Sequence, residues 1–199
     1  MTDHESRPPG VDPEADLAWC HDAVQGVSRT FALTIDVLDE PMSTHICLGY
    51  LLCRVADTIE DANHIPPEPQ AELLRTYDAA IDPDADTDID AFRAAVDDWI
   101  PADAADTDDW IVVAEAPRIV AAFEELPDIP LVRELIDGMA MFVKRHADSG
   151  GLRIDDGDEL EEYCYYAAGT VGTLITNLLT RGDIAADRRQ RLYDTAVEF

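Results

Sequence analysis

Tyr50-Leu51-Leu52-Cys53-Arg54-Val55-Ala56-Asp57-Thr58-Ile59-Glu60-Asp61 is the stretch on which the fold turns. It holds no proline and no glycine, and apolar residues lie all around it, so it reads as a helix buried on most sides. At about 100° per residue, Tyr50, Arg54, Asp57, Glu60 and Asp61 fall on one stripe, because the steps between them are 4, 3, 3 and 1. Three carboxylates, a guanidinium and a phenol are an unusual cargo for an apolar helix. Crowded carboxylates repel one another, and burying them unpaired is costly. A hard divalent cation relieves that cost, and Mg²⁺ takes oxygen ligands in this way while keeping waters and binding phosphates. The stripe therefore predicts an Asp-x-x-Glu-Asp metal ledge of Asp57, Glu60 and Asp61 facing a pocket, with Arg54 one turn away for a phosphate.

The rest of the composition narrows the setting. With 199 residues, 47% of them apolar, the chain is long enough for one core of ordinary size. There are 43 acidic residues against 14 basic ones, a net charge of −29, and Lys144 is the one lysine. Such a balance repels nucleic acid and anionic membrane surfaces. The apolar content argues against a disordered acidic chain. The charge suits a halophile's protein kept soluble in molar salt, where screening acts within about 3 Å. Cys20, Cys47, Cys53 and Cys164 form no Cys-x-x-Cys pair, so reduced, buried thiols in a cytoplasmic protein are expected. No run reaches the length of a membrane span, and Met1 to Gly10 carry no apolar signal segment.

Outward from the acidic helix, the pattern is helical throughout, with no alternating stretch of useful length. Residues 1–13 are polar with three prolines and read as a disordered tail ahead of a single domain over 14–199. Helices are expected over Asp16–Val27, from Pro41 to about Asn63, and over Glu68–Ile81, Ile89–Ile100, Trp110–Leu126, Leu131–His146, Asp158–Leu179 and Ala185–Phe199. The segment 82–110, with acidic runs at each end, reads as peripheral. The expected fold is all-α, a bundle around a central cavity. The chain stops at Phe199 inside a helical pattern, which suggests that it is incomplete.

Two further stretches carry chemistry. Ser28, Arg29 and Phe31 precede the acidic helix, where a hydroxyl beside a guanidinium suits an anion, though a helix cap with a surface salt bridge fits equally. In Tyr163-Cys164-Tyr165-Tyr166-Ala167-Ala168-Gly169-Thr170-Val171-Gly172, small residues stand where a helix does not favour them. They suit the close approach of a long ligand, or of another backbone. Tyr163, Ala167, Thr170, Leu174 and Asn177 would share that face. His21, His45, His64 and His146 share no ligand spacing. Arg188, Arg189 and Arg191 read as a solvated face, and Glu159-Leu160-Glu161-Glu162 as charge favoured at a helix N-terminus.

In order, Ser-Arg-Thr-Phe from 28, the Tyr50–Asp61 stretch and Tyr-Cys-Tyr-Tyr-Ala-Ala-Gly-Thr-Val-Gly from 163 resemble the squalene/phytoene synthase family over about residues 14 to 199. The resemblance implies an isoprenoid synthase-type bundle and head-to-head condensation of two prenyl diphosphates. It implies Mg²⁺ on Asp57, Glu60 and Asp61. It implies a diphosphate and substrate site of Ser28, Arg29, Phe31, Tyr50 and Arg54, and a prenyl channel lined by Ala167, Val171 and Gly172. Tyr163 matches the tyrosine of the first half-reaction, and Asp57, Asp61 and Arg54 join it as catalytic. The family's second aspartate-rich motif has no match, which would leave half of the metal site beyond Phe199. Within the family, Phe142 stands where phytoene synthases often carry an acidic residue. This favours a haloarchaeal-type squalene synthase using two farnesyl diphosphates and NADPH. Ala-Gly-Thr-Val-Gly, common among carotenoid enzymes, favours phytoene synthase. The resemblance further implies a monomer, with peripheral membrane contact for product release.

Overall fold

A computed structural model describes residues 12–85, 88–122, 128–181 and 185–196, and all of its regular structure is helical. Its elements are α1 Pro13–Val27, α2 Arg29–Ile35, α3 Met42–Glu60, α4 Pro67–Ile81, α5 Ile89–Asp97, α6 Asp108–Ala114, α7 Ala116–Ala122, α8 Ile129–Arg145, α9 Gly157–Cys164, α10 Thr170–Leu179 and α11 Ala186–Ala196. A 3₁₀ turn at Ala147–Ser149 succeeds α8, and a π turn at Tyr165–Gly169 joins α9 to α10. Of the tail read over 1–13, Asp12 and Pro13 belong to α1: the Asp12 carboxylate accepts from Ala15 N at 3.3 Å and Pro13 takes the first helical position. The remainder lies outside the described residues. Among the described residues no helix is long and apolar enough to cross a membrane.

The Tyr50–Asp61 stretch forms the C-terminal part of α3, and α3 is the axis of the bundle. Leu48, Leu51, Leu52, Val55, Ala56 and Ile59 are at most 1% exposed, because α1, α2, α4, α6, α7, α8 and α10 all pack against this helix. Full burial of so many aliphatic side chains contributes roughly 1.5–3 kcal/mol each and fixes the helix from all sides. Two side chains of α4 secure it at backbone level. Tyr77 donates its hydroxyl to Leu52 O at 3.1 Å, and Gln70 Nε2 donates to Ile59 O at 2.8 Å and to Glu60 O at 2.7 Å. Gln70, 7% exposed, thus satisfies carbonyls that the end of α3 would leave orphaned.

Three expectations need correcting. Segment 82–110 is not peripheral: Phe92 and Val96 are fully buried and Trp110 is 8% exposed, because α5 and α6 pack on the bundle. The stretch Asp158–Leu179 is not one α-helix, since the π turn interrupts it. Trp110–Leu126 is split into α6 and α7, and residues 123–127 lie outside the described residues.

The π turn has a visible packing partner. A Cβ built on Gly138 of α8 would stand 2.3 Å from Tyr166 Cγ and 2.5 Å from Tyr166 Cβ. The Tyr166 ring therefore lies flat on a glycine, and the chain widens its turn where it does so. Gly138→Ala is expected to destabilise the fold by about 1–3 kcal/mol, as overpacking of a tight contact does. Urea unfolding measures this, and an unchanged midpoint would contradict the packing account.

Candidate active site

The last turn of α3 carries Asp57 and Glu60, with Asp61 as its C-cap and no basic residue. This is the end at which the helix dipole already disfavours negative charge. Burial, then the charges of Asp61 and Asp57, push the Glu60 carboxyl up to about 7. Burial, then Asp57, raises Asp61 as well. Burial lowers the Arg54 pKa, but the hydrogen bond to Asp57 and nearby negative groups more than offset it, so the guanidinium stays charged. Its Nη1 donates to Asp57 Oδ2 at 2.6 Å and its Nη2 to Val27 O at 3.4 Å.

Three cavities meet at this helix end. An apolar one runs along α3, α8 and α10, lined by Phe31, Tyr50, Leu135, Met139, Ala167 and Val171 among others, with Arg54 and Asp57 at one end. Phe31 and Tyr50 stack there with ring centroids 4.5 Å apart. A polar cavity on one flank is lined by Glu60, Asp61, Tyr163, His146 and the turn at Gly150 and Gly151. Gly150 has φ 74°, a conformation glycine adopts without strain. A third cavity, on the other flank, is lined by Arg54, Asp57, Asp61, His64, Asp109 and Trp110.

The predicted stripe is therefore assembled, but it is divided. Tyr50, Arg54 and Asp57 face the apolar cavity, whereas Glu60 faces a polar one. Tyr163 lines this polar cavity beside Glu60. Burial first, then Glu60, Asp61 and Asp57, pushes its phenol up to about 12, so it remains a donor at neutral pH. Its ring meets Phe142 edge to face at 5.3 Å. The π turn adds a residue between Tyr163 and the side chains of α10, which rotates the face by about 100°. That is why Tyr163 opens to the polar cavity while Ala167 and Val171 open to the apolar one. Thr170 instead turns inward, 1% exposed, and Asn177 meets the Tyr193 hydroxyl.

Other expected residues sit apart. Ser28 accepts from Phe31 N at 3.3 Å and caps α2, the cap alternative of the two readings. Arg29 is exposed at the start of α2, and neither Arg29, Ser28 nor Gly172 lines these three cavities. Cys164 is exposed rather than buried, while Cys20, Cys47 and Cys53 are buried, with burial pushing each thiol up to about 12. Arg188, Arg189 and Arg191 are exposed, and Arg189 Nη2 also donates to Thr180 O at 2.7 Å, beyond the last turn of α10. Glu159 and Glu162 clamp Arg145, whose Nη1 lies 3.4 Å and 2.6 Å from their carboxylates.

Asp109 and Gln70 were not singled out from sequence. Asp109 Oδ1 lies 3.1 Å from Arg54 Nε. Its only signal was acidic low complexity, which ordinarily marks a solvated loop.

The donor set fits a hard divalent cation: oxygen ligands on the negative end of a helix, two of them raised first by burial and then by neighbouring carboxylate charge. Among the described residues no three such side chains converge on one point. Mg²⁺ binds through one or two carboxylates and completes its shell with water and phosphate. The crowding has a measurable consequence. Folded Glu60 keeps its proton to about pH 7, whereas the unfolded chain releases it in the ordinary glutamate range. Between those values the folded state binds more protons, so stability is full at the low end and is lost as pH rises through the window. In EDTA, urea unfolding at pH 8 against pH 5 should show a loss of roughly 1–3 kcal/mol from this group, after discounting for solvent. Glu60→Gln should flatten the step, and an unaltered step would contradict the crowding.

A helical bundle whose acidic helix end opens onto an apolar cavity is of the isoprenoid synthase type. A solved structure of TcSQS with a bound ligand has the same fold, with a TM-score of 0.70 at 24% identity over 92% of this chain and 50% of that one. Squalene synthase of Eremothecium gossypii is 30% identical over 174 residues, 83% of this chain and 36% of its own length. Squalene synthase 1 of Arabidopsis thaliana is 29% identical over 174 residues, 84% and 37% respectively. The family model described as squalene/phytoene synthase matches residues 24–199. The chain belongs to the squalene/phytoene synthase family. It spans well under half the length of these curated relatives.

Proposed function

We propose that the protein, at the full length of its relatives, joins two prenyl diphosphates head to head, two farnesyl diphosphates giving presqualene diphosphate and squalene. The observation that carries the reading is the junction at Asp57, where a charged ledge meets the end of an apolar cavity. A diphosphate ester of a polyprenyl chain has that same division of polarity. Asp57, Glu60 and Asp61 would hold Mg²⁺, which when bound neutralises charge on the departing diphosphate.

Arg54 has the reach to contact a phosphate oxygen, and a cation there stabilises the transition state more than the substrate, because charge grows on the leaving group as the C–O bond ionises. The aliphatic wall of Leu135, Met139, Ala167 and Val171 keeps water from the resulting carbocation. Tyr163, protonated and lining the polar cavity with Glu60, offers its hydroxyl as a path for a proton to Glu60. Arg54 is the one guanidinium or ammonium among the residues lining these cavities. That is too little to grip a NADPH pyrophosphate as well as a substrate. We read the acidic composition as adaptation to high salt.

Product analysis tests this. Farnesyl diphosphate with Mg²⁺ should give presqualene diphosphate, and squalene when NADPH is added. Phytoene from geranylgeranyl diphosphate would move the reading to the C20 branch. No condensation from either substrate would overturn it.

A further inference from the structure

We propose that Asp109 is a positioning residue: it anchors the Arg54 guanidinium by its Nε side, leaving the Nη1 side to pass from Asp57 to a phosphate oxygen. The proposal rests on the reading of the ledge as a diphosphate site.

Each nitrogen of Arg54 has a different neighbour. Nη1 is on Asp57 and Nη2 on the last carbonyl of α1, while Nε faces Asp109 Oδ1 at 3.1 Å. Arg54 Nε and Asp109 Oδ1 are both shut off from solvent and neither makes a hydrogen bond, so their 3.1 Å ion contact is what each has there. The Arg54 and Asp109 side chains are 27% and 47% exposed, so this is a partly solvated ion pair, one that sets the Nε side of the guanidinium against α6.

Asp57 is differently placed. It shares the third cavity with Asp109 but also lines the apolar one and belongs to the carboxylate ledge, so a divalent cation would compete with Arg54 for its oxygens. A guanidinium held by Asp57 alone would lose its register when that happened. Asp109 lies outside the ledge and keeps its hold.

The backbone beneath Asp109 is built for close placement. Asp109 stands in the first turn of α6, where the helix dipole favours an acid. A Cβ built on Gly26 of α1 would stand 2.7 Å from Asp108 Cγ, so the glycine admits the start of α6 against the end of α1. Next along the chain, Trp110 is 8% exposed and meets the His64 ring edge-on at 5.7 Å. His64 Nε2 in turn contacts Trp99 O at 2.8 Å. The carboxylate therefore rides on a packed element, although its sequence neighbourhood is an acidic run.

The test is calorimetric titration of Mg²⁺ and inorganic pyrophosphate into wild type, Asp109→Asn, Asp109→Glu, Arg54→Gln and the Arg54→Gln/Asp109→Asn double variant, with melting temperatures alongside. Removing a negative charge beside an anion site should, by charge alone, tighten pyrophosphate binding. Positioning has the opposite sign. Asp109→Asn should weaken binding about tenfold, Asp109→Glu should retain most of it, and the Asn effect should vanish once Arg54 is gone. If the Asn variant melts early, Asp109→Ser takes its place in the cycle. Unchanged or tighter binding in Asp109→Asn overturns the role of Asp109 and leaves the diphosphate site standing. Equal weakening with and without Arg54 overturns it as well. A wild-type protein that binds no Mg²⁺–pyrophosphate overturns the reading of the ledge, and the proposal with it.

Discussion

Asp57→Asn should lower turnover of the prenyl diphosphate by about 10²-fold or more while leaving the protein as stable as wild type, or more so. The two halves of this expectation come from the same geometry. Asparagine keeps the shape of the side chain and removes the charge that a cation on the ledge needs. Loss of one such transition-state contact costs roughly 3 kcal/mol, which is about two powers of ten in rate. The same substitution removes one of three carboxylates crowded at the negative end of α3, so repulsion there is relieved. A site that is strained for function typically shows this opposition of activity and stability. Steady-state kinetics and thermal unfolding on the same preparation decide it. Near-full turnover in the variant, or a lower melting temperature with unchanged kinetics, would contradict the reading of Asp57.

Tyr163→Phe carries the second large effect, an expected loss of about 10²-fold in the first half-reaction with substrate binding retained. Phenylalanine preserves the edge-to-face contact with Phe142 at 5.3 Å and therefore the shape of the polar cavity. It deletes the hydroxyl that shares the polar cavity with Glu60. Were the aromatic face alone needed to steady a carbocation, the variant would keep most of its rate. The phenol is pushed up to about 12, chiefly by burial, so at neutral pH it acts as a neutral donor. Single-turnover formation of the first product separates the two contributions. A wild-type rate in Tyr163→Phe would remove the hydroxyl from the mechanism.

How much of this was legible in the sequence depends on how local each feature is. The core of α3 and its charged stripe are set by helical periodicity within one continuous stretch, and both were read there. The composition of α10 and the glycines after α8 likewise announced close approach and a break. The π turn was not legible, because it depends on the fit of Tyr166 to Gly138, 28 positions earlier in the chain. Without it the face Tyr163–Ala167–Thr170 looks continuous, and the division between polar and apolar cavities is hidden. Ser28 to Phe31 reads as a loop because α2 is only 7 residues long, too short for periodicity to register. Asp109 was hidden for another reason. An acid in an acidic run looks like solvent-facing charge, and only the packing of α6 on α1 and α3 brings it to Arg54.

The central claim is that the end of α3 binds a divalent cation together with a diphosphate. Electron paramagnetic resonance titration of Mn²⁺, with and without inorganic pyrophosphate, tests it most directly on wild type, Asp57→Asn and Asp61→Asn. The account predicts that pyrophosphate tightens Mn²⁺ binding to wild type at least about tenfold and that either asparagine abolishes the gain. Mn²⁺ binding indifferent to pyrophosphate, or equally enhanced in the asparagine variants, would contradict it.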